Sequence, residues 1–496
     1  MESTPVTARI APWILVALVL AWWIAVKTVY LFHAEYTSDL FTHYQLTTGW
    51  LEGRPLLYEN CFGFHGRIHN YYLSPALGFF TVPLGVWGLV AVQGLTLAWA
   101  TAAFLRRAAN GHAPDRAWPL FGFVLVVWLG PVSFYVFDDP YYGWHPEVLF
   151  LPLALLHGLA LRAGRWPAVL ATAALIALTK EDGAVLGCCV GLAYLALESA
   201  DPGSGRRRLL RRAAATLSAW GAVFVAGQIW LQIQSDGNSP LGAALGNVLR
   251  AEPRESLRYL AGAAGWPVLL GISAAPLLLA LVSWRMTATL FLLSLPLVVT
   301  SVVSGLWYYP DLSYGPAWSP RVGTLWAYGS CCAALAVLSW RGEARRSPLA
   351  PLALSLVLQL VALRAAPEPY RFFERLLFRP VALLSGALHD PRLDFLNALG
   401  ERLPADYPVA PPSDYFGAFR RQQIFWWDHP QDLGQPELYV CDGACDVRFP
   451  GFDWSDKSRF RLGDFEFIAR ADIEHMIREQ FARSALASGD RHPRAR

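Results

Sequence analysis

Stretches of about 20 apolar residues, each long enough to cross the hydrocarbon core of a bilayer, recur in this chain from residue 11 to about residue 365. A sequence built this way is expected to fold as a bundle of membrane-spanning helices. About eleven candidate spans lie near 11–32, 73–105, 118–137, 147–162, 166–179, 183–198, 213–233, 261–283, 287–309, 321–340 and 348–365. The bulk figures agree: 54% of the 496 residues are hydrophobic and 16% charged, with a mean hydropathy of +0.32. That is too apolar for an ordinary soluble protein. The first stretch, 11–32, is long and no small-x-small cleavage site follows it, so it reads as a retained span rather than a removed leader.

The net charge is +3, and no basic run interleaved with aromatics points to nucleic acid. The placement of charge is more informative. Arg106, Arg107 and Arg116, then Arg162 and Arg165, then "RRRLLRR" (206–212), then Arg341, Arg345 and Arg346 fall on one side of the expected bundle. The positive-inside rule makes that side cytoplasmic. The expected location is the inner (plasma) membrane, multi-pass, with the N-terminus cytoplasmic. Segments 33–72, 138–146, 180–182, 234–260, 310–320 and the chain after 366 are then extracytoplasmic.

One interruption stands out: "LIALTKEDGAVLGCC" (175–189) sets Lys180, Glu181 and Asp182 between apolar runs. Only Lys27, Lys180 and Lys457 are lysines among 41 basic residues, so a lysine here is conspicuous. Placing three charges at mid-bilayer would cost roughly 2.5–3.5 kcal/mol each on the insertion scale. A tight turn between two short helices is therefore expected, and polar turns also join helices that do nothing further.

After Pro367 the pattern changes. "PYRFFERLLFRPVALL" (369–384) suits a helix lying on the membrane surface. "DFLNALGERL" has a helical pattern, and "QQIFWW", "PELYVC", "RFRLGD" and "FEFIARA" read as short strands. The expected organisation is a transmembrane domain over 1–365 with a large first external loop at 33–72. An interfacial helix and a small C-terminal extracytoplasmic α/β domain follow over 366–496. Cys441 and Cys445 lie in that domain, where a local disulfide is open to them. The adjacent pairs Cys188, Cys189 and Cys331, Cys332 lack zinc spacing and read as small core residues.

Acids and histidines gather on the expected external side: Glu35, Asp39, His43, His65 and His69 in the first loop, Asp138, Asp139, His145 and Glu147 near 138–147, and the 180–182 triplet. Ionisable groups at membrane depth are expensive, so such clustering hints at function. External loops are also simply wet, which is the plainer explanation.

The segments "YTSDLFTHYQLTTGWLEGRPLLYEN", "HNYYLSPALGFFTVPLG", "GWHPEVLFLPLALL" and "ALTKEDGAVLG", in that order, resemble the motifs of a family of bacterial and archaeal polytopic membrane proteins of unknown function. That family is assigned to the GT-C class of integral-membrane glycosyltransferases. The tail "ERLPADYPVAPPSDYFGAFRRQQIFWW" is similar to the family's external ending. The resemblance implies a GT-C-like fold, a polyprenyl-phosphate sugar donor and an acidic catalytic base in the first external loop, a position matched by Asp39. Members of the class often carry paired acids there as Asp-x-Asp. Glu35 and Asp39 stand four apart, so no cofactor is assigned and a divalent metal is left open.

Beside the resemblance stands the chemistry. Inverting transfer of a sugar to an acceptor hydroxyl needs a carboxylate to take the proton and positive charge to steady the leaving phosphate. Asp39 fits the first role, and Lys180 with Arg321 the second. His69, His145, Glu147, Glu181 and Asp182 are the remaining candidate substrate-binding residues. The expected partners are the lipid-linked donor, an extracytoplasmic glycan, lipid or protein acceptor, and membrane lipid. A transporter or lipid flippase, or a scaffold that keeps the fold without catalysis, is the alternative.

Overall fold

The computed structural model describes residues 6–32, 36, 39–61, 63–109, 117–140, 142–199, 205–235, 266–278, 284–308, 318–339, 349–365, 390–425, 436–448 and 454–484. The proposed surface helix at 369–384, Glu35 and the arginines at 341–346 lie outside them, as does the last stretch of the tail. The protein is mostly helical with a small C-terminal sheet. It divides into two compact units: Met1–Ala25, Gly66–Pro140 and Trp144–Leu376 form one, and Val26–His65, Tyr141–Gly143 and Leu377–Arg496 the other.

Four helices among the described residues are long and apolar enough to cross a membrane: Trp13–Phe32, Trp87–Ala108, Pro146–Ala163 and Arg206–Gln234. A bent pair, Leu120–Trp128 with Pro131–Asp138, makes a fifth if taken as one span. Six further apolar helices are shorter, among them Trp166–Thr179 and Gly183–Ser199. The expectation of about eleven full-length spans is therefore met only in part, for a local reason. At 14 and 17 residues, those two helices fall short of the ~20 that cross a bilayer core unaided.

Two expected continuous spans are broken. The run 73–105 is two helices, Ser74–Leu84 and Trp87–Ala109, because Gly85 takes a left-handed φ of +61° two residues after Pro83. The run 118–137 passes through a π-helical turn, Val124–Trp128, and bends by 43° before Pro131. Apolar surroundings cannot hydrate the backbone groups this frees, so side chains do it. Buried Gln359 donates to Val126 O at 2.8 Å and accepts from Val132 N at 3.3 Å. Ser133 donates to Val127 O at 2.8 Å and accepts from Trp326 Nε1 at 2.7 Å. "RRRLLRR" is not a loop either. It forms the first turns of the helix Arg206–Gln234.

Helix Phe150–Ala163 is the first unit's core element, buried on nearly all sides and packed on Trp87–Ala109, Trp166–Thr179, Gly183–Ser199 and Trp318–Ser339. Gly158 lets it approach the last of these closely, since a Cβ there would lie 2.7 Å from Cys331 Sγ. Such small-residue contacts replace the hydrophobic effect where both solvent and side chains are apolar.

The second unit is built on strands β1 (Tyr58–Glu59) and β2 (Gly63–Phe64), a small antiparallel hairpin, and on a five-stranded mixed sheet. That sheet contains β3 (Pro408–Ala410), β4 (Gln423–Ile424), β5 (Leu438–Asp442), β6 (Ser458–Leu462) and β7 (Phe465–Ala469), in the order β4-β3-β5-β7-β6. The β3 pairings are parallel and the β7 pairings antiparallel. Alternation splits the strands between two faces. Leu438, Val440, Phe465 and Phe467 pack with Phe395, Leu396 and Leu399 of helix Pro391–Arg402. Tyr439, Cys441 and Ile468 face the other way with Trp454. Asp390 caps that helix by accepting from Arg392 N at 3.0 Å, with Pro391 at its first position. Cys441 and Cys445 are joined in a disulfide. The four sequence-expected strands overlap β4, β5, β6 and β7, each running past the observed strand at one end or both. The sequence reading omitted β3 and the helix Ala471–Ala482.

Of the segment expected as a loop, 33–72, the part up to His65 groups with this second unit and its described residues are folded, while 66–72 groups with the first. Helix Asp39–Thr48 leads into the hairpin, and Ile424 N donates to Asn60 O at 3.2 Å. Phe41 packs on Gly417, where a Cβ would fall 2.1 Å from its ring.

Candidate functional site

Helix Trp166–Thr179 ends where Lys180 takes an extended conformation, and Gly183 N then donates to Lys180 O at 3.0 Å as the next helix begins. The reversal depends on Gly183, whose Cβ would lie 2.1 Å from Ile176 O. Gly183→Ala is accordingly expected to destabilise the protein by about 1–3 kcal/mol, the usual range for overpacking. An unchanged thermal midpoint in detergent would show that the turn tolerates displacement.

Lys180 and Glu181 each have a partner from another segment. Glu181 accepts from His69 Nδ1 at 2.7 Å and from Asn70 N at 3.1 Å, so both of its oxygens are engaged. An ionised carboxylate can only accept, which puts the His69 proton on Nδ1. Asn70 Nδ2 also reaches Gly227 O at 2.9 Å, and Leu73 N closes on Leu178 O at 2.7 Å, fastening the 69–73 segment over the turn. Lys180 Nζ lies 2.5 Å from Glu147 Oε1, 4.0 Å from Asp182 Oδ2 and 5.9 Å from the centre of the Tyr71 ring.

Glu147 is delivered by the 3-10 turn Pro146–Leu149, which begins after extended His145. His145 Nδ1 meets Asp139 Oδ2 at 2.9 Å. Asp139 adopts a left-handed φ of +47°, a conformation that aspartate accepts more readily than most residues. The charges of Lys180, His145 and His69 all act on Glu147.

The cluster is strongly desolvated. Side-chain exposure is 2% for Glu147, 15% for Lys180, 11% for Glu181 and 0% for Asp139. Burial raises the Glu181 pKa, but the His69 ring and its hydrogen bond, with Lys180 and the Asn70 amide, outweigh that and hold it down at about 2. A depressed folded-state value makes this contribution fully present above the ordinary 4.5, and it is lost as pH falls through about 2. The stability gap between wild type and Glu181→Gln should therefore narrow as the pH of a detergent solution is lowered from about 5 toward about 3. A gap that does not change with pH would contradict the pairing.

The sequence-expected residues His69, Glu147, Lys180, Glu181 and Asp182 thus come together, with His145 beside them. Asp39 belongs to the second unit, partly buried in the first turn of helix Asp39–Thr48. Arg321 stands in helix Trp318–Ser339, and its side chain lies outside the described residues. The Lys180 ammonium stands in an ion pair with Glu147. Asn70 carries no signal in the sequence beyond its adjacency to His69.

Two oxygens of this network are left over: among the described residues, Glu147 Oε2 and Asn70 Oδ1 are buried and have no hydrogen-bond donor. A buried carboxylate oxygen without a donor costs about 1–3 kcal/mol or more, and native proteins rarely leave one. No group of three metal-ligating side chains occurs among the described residues. No family model, curated protein or solved structure matches the chain.

Proposed function

We propose that the protein is a multi-pass membrane glycosyltransferase, with GT-C-type organisation, that moves a sugar from a polyprenyl-phosphate-linked donor to an extracytoplasmic acceptor with inversion. The unfilled acceptor at Glu147 Oε2, inside a buried set of charged groups, is the observation that carries this reading. A sugar hydroxyl supplies the missing donor, and Tyr71 beside Lys180 gives the kind of aromatic surface on which a sugar ring rests.

Membrane insertion is supported by surface chemistry. Phe79, Leu95, Trp166, Leu170, Ile229, Ile233 and Leu349 are all exposed, and almost none of the apolar window in Arg206–Gln234 is buried. In water such a surface would be a large apolar patch, whereas lipid covers it without cost. The Cys441–Cys445 disulfide supports a C-terminal domain outside the reducing cytoplasm.

In this reaction the acceptor O–H gives its proton to a carboxylate, the acceptor oxygen bonds to the anomeric carbon, and the sugar–phosphate bond breaks with its electron pair leaving on phosphate. The resemblance assigns the base to Asp39. Glu147, Glu181, His69 and Lys180 bind and orient the donor's sugar, while Asp182 and His145 border them.

The purified protein in nanodiscs should bind a polyprenyl-phosphate sugar saturably, and Glu147→Gln should weaken that binding by about tenfold, the value of one charged hydrogen bond. Equal affinity for polyprenyl phosphate without its sugar would sink the sugar-binding role. The bent helix pair ending at buried Asp138 and Asp139 favours a second reading, a transporter, since interrupted helices and buried acids mark many transport sites. Movement of the intact lipid-linked sugar across proteoliposomes without transfer would favour it.

A further inference from the structure

The second unit contains a cavity that the transferase reading does not use. It has a volume of about 340 Å³ and is lined by Tyr44, Gln45, Thr48, Glu52, Arg54, Ala405, Arg420 and Arg421. That is within the usual range for small-ligand sites, about 300–1,000 Å³. Three arginines and one glutamate are among the lining residues, giving the lining a net charge of +2. Among the described residues none of the three arginines is ion-paired: their polar contacts are with Asn60, Tyr44 and backbone groups.

The backbone that presents two of them is held from several directions. Arg420 O accepts from Gln45 Nε2 at 3.2 Å and from Asn60 Nδ2 at 2.6 Å, while Asn60 N donates to Gln45 Oε1 at 2.9 Å. Arg421 O accepts from Asp406 N at 2.8 Å. The next residue, fully buried Gln422, donates to Gly400 O at 2.9 Å. Arg54 is fixed by its hydrogen bond to Asn60 and by packing over the Tyr58 ring at 5.6 Å. Gln45 and Asn60 are buried amides spent on positioning this turn, and the side chains it carries line an open cavity.

We infer that this cavity is a phosphate-binding site, formed by Arg54, Arg420 and Arg421, that takes a phosphomonoester or pyrophosphate group. Guanidinium forks match phosphate oxygens in pairs, and three of them suit a multiply charged anion better than a single carboxylate. Tyr44 adds a neutral hydroxyl to the lining. The group can belong to a lipid headgroup or to a soluble ligand, with the same chemistry of recognition. The inference does not depend on sugar transfer.

The test uses the full-length protein with inorganic pyrophosphate as the soluble probe, followed by calorimetry in detergent. Nanodiscs containing phosphatidic acid, compared with phosphatidylcholine alone, form the lipid arm, read as lipid retained by native mass spectrometry. Arg421→Gln is the primary variant, because its side chain is exposed and makes no hydrogen bond among the described residues, so folding is not at stake. Arg459→Gln, at a distant pair with Glu466, is the control. Saturable pyrophosphate binding that weakens about tenfold in Arg421→Gln but not in Arg459→Gln supports the site with a soluble ligand. Selective retention of phosphatidic acid, lost in the same variant, supports it with a lipid source. No saturable binding in either arm, or equal binding by both variants and wild type, overturns it.

Discussion

Lys180→Met is expected to lower the stability of the protein by about 3–5 kcal/mol, the cost of leaving one member of a buried ion pair without its partner. The mate is Glu147, 2% exposed, with one oxygen 2.5 Å from the ammonium and the other already lacking a donor. Adding Glu147→Gln to Lys180→Met removes the stranded charge, so the double variant should recover most of the loss. The coupling is then read from the cycle of two single variants and the double. Such a pair gives little net stability compared with apolar residues of the same shape. Its presence among apolar helices is therefore better explained by function than by folding. If the single variants each cost under about 1 kcal/mol and simply add, the pair behaves as a solvated surface bridge and that reasoning fails.

Asp39→Asn is expected to reduce sugar transfer by about 10²–10⁴-fold, the usual loss when a general base is removed. The amide keeps the shape of the side chain and can still hydrogen-bond, but it takes no proton at neutral pH. Asp39 opens helix Asp39–Thr48 in a segment that buries Leu40, His43, Leu46 and Thr47, so expression and folding should not change. A variant that keeps wild-type turnover would move the base to another carboxylate, with Glu147 the first to examine.

Much of this architecture is written in local pattern. The two short helices around "TKEDG" and the four strands of the C-terminal domain can be read from runs of apolar residues, alternation and turn residues. The gathering of His69, Glu147 and Glu181 could be anticipated only as a sorting by side, since hydropathy says which segments share a face and not which side chains meet. Breaks within apolar runs are harder. Gly85 after Pro83, and Gly130 before Pro131, carried the signal for two interruptions, but the apolar residues around them continue the pattern of one long helix.

Long-range pairing leaves no trace of this kind. Gln45 meets the carbonyl of Arg420 across 375 residues of sequence. Nothing in the composition of 39–61 indicates that it folds with the C-terminal sheet. The pairing of Lys180 with Glu147, 33 residues apart, is similarly invisible to periodicity. The three arginines that line a cavity without an ion-pair partner among the described residues, Arg54, Arg420 and Arg421, are in the other unit.

The central claim, that this protein consumes a polyprenyl-phosphate sugar, is tested most directly by measuring that lipid in extracts of a deletion strain alongside the surface glycans of the same cells. Accumulation of the lipid-linked sugar is predicted, with loss of a glycan substituent, and both should be reversed by the wild-type gene but not by Asp39→Asn. Unchanged lipid pools and unchanged glycans, under conditions where the protein is expressed, would contradict it.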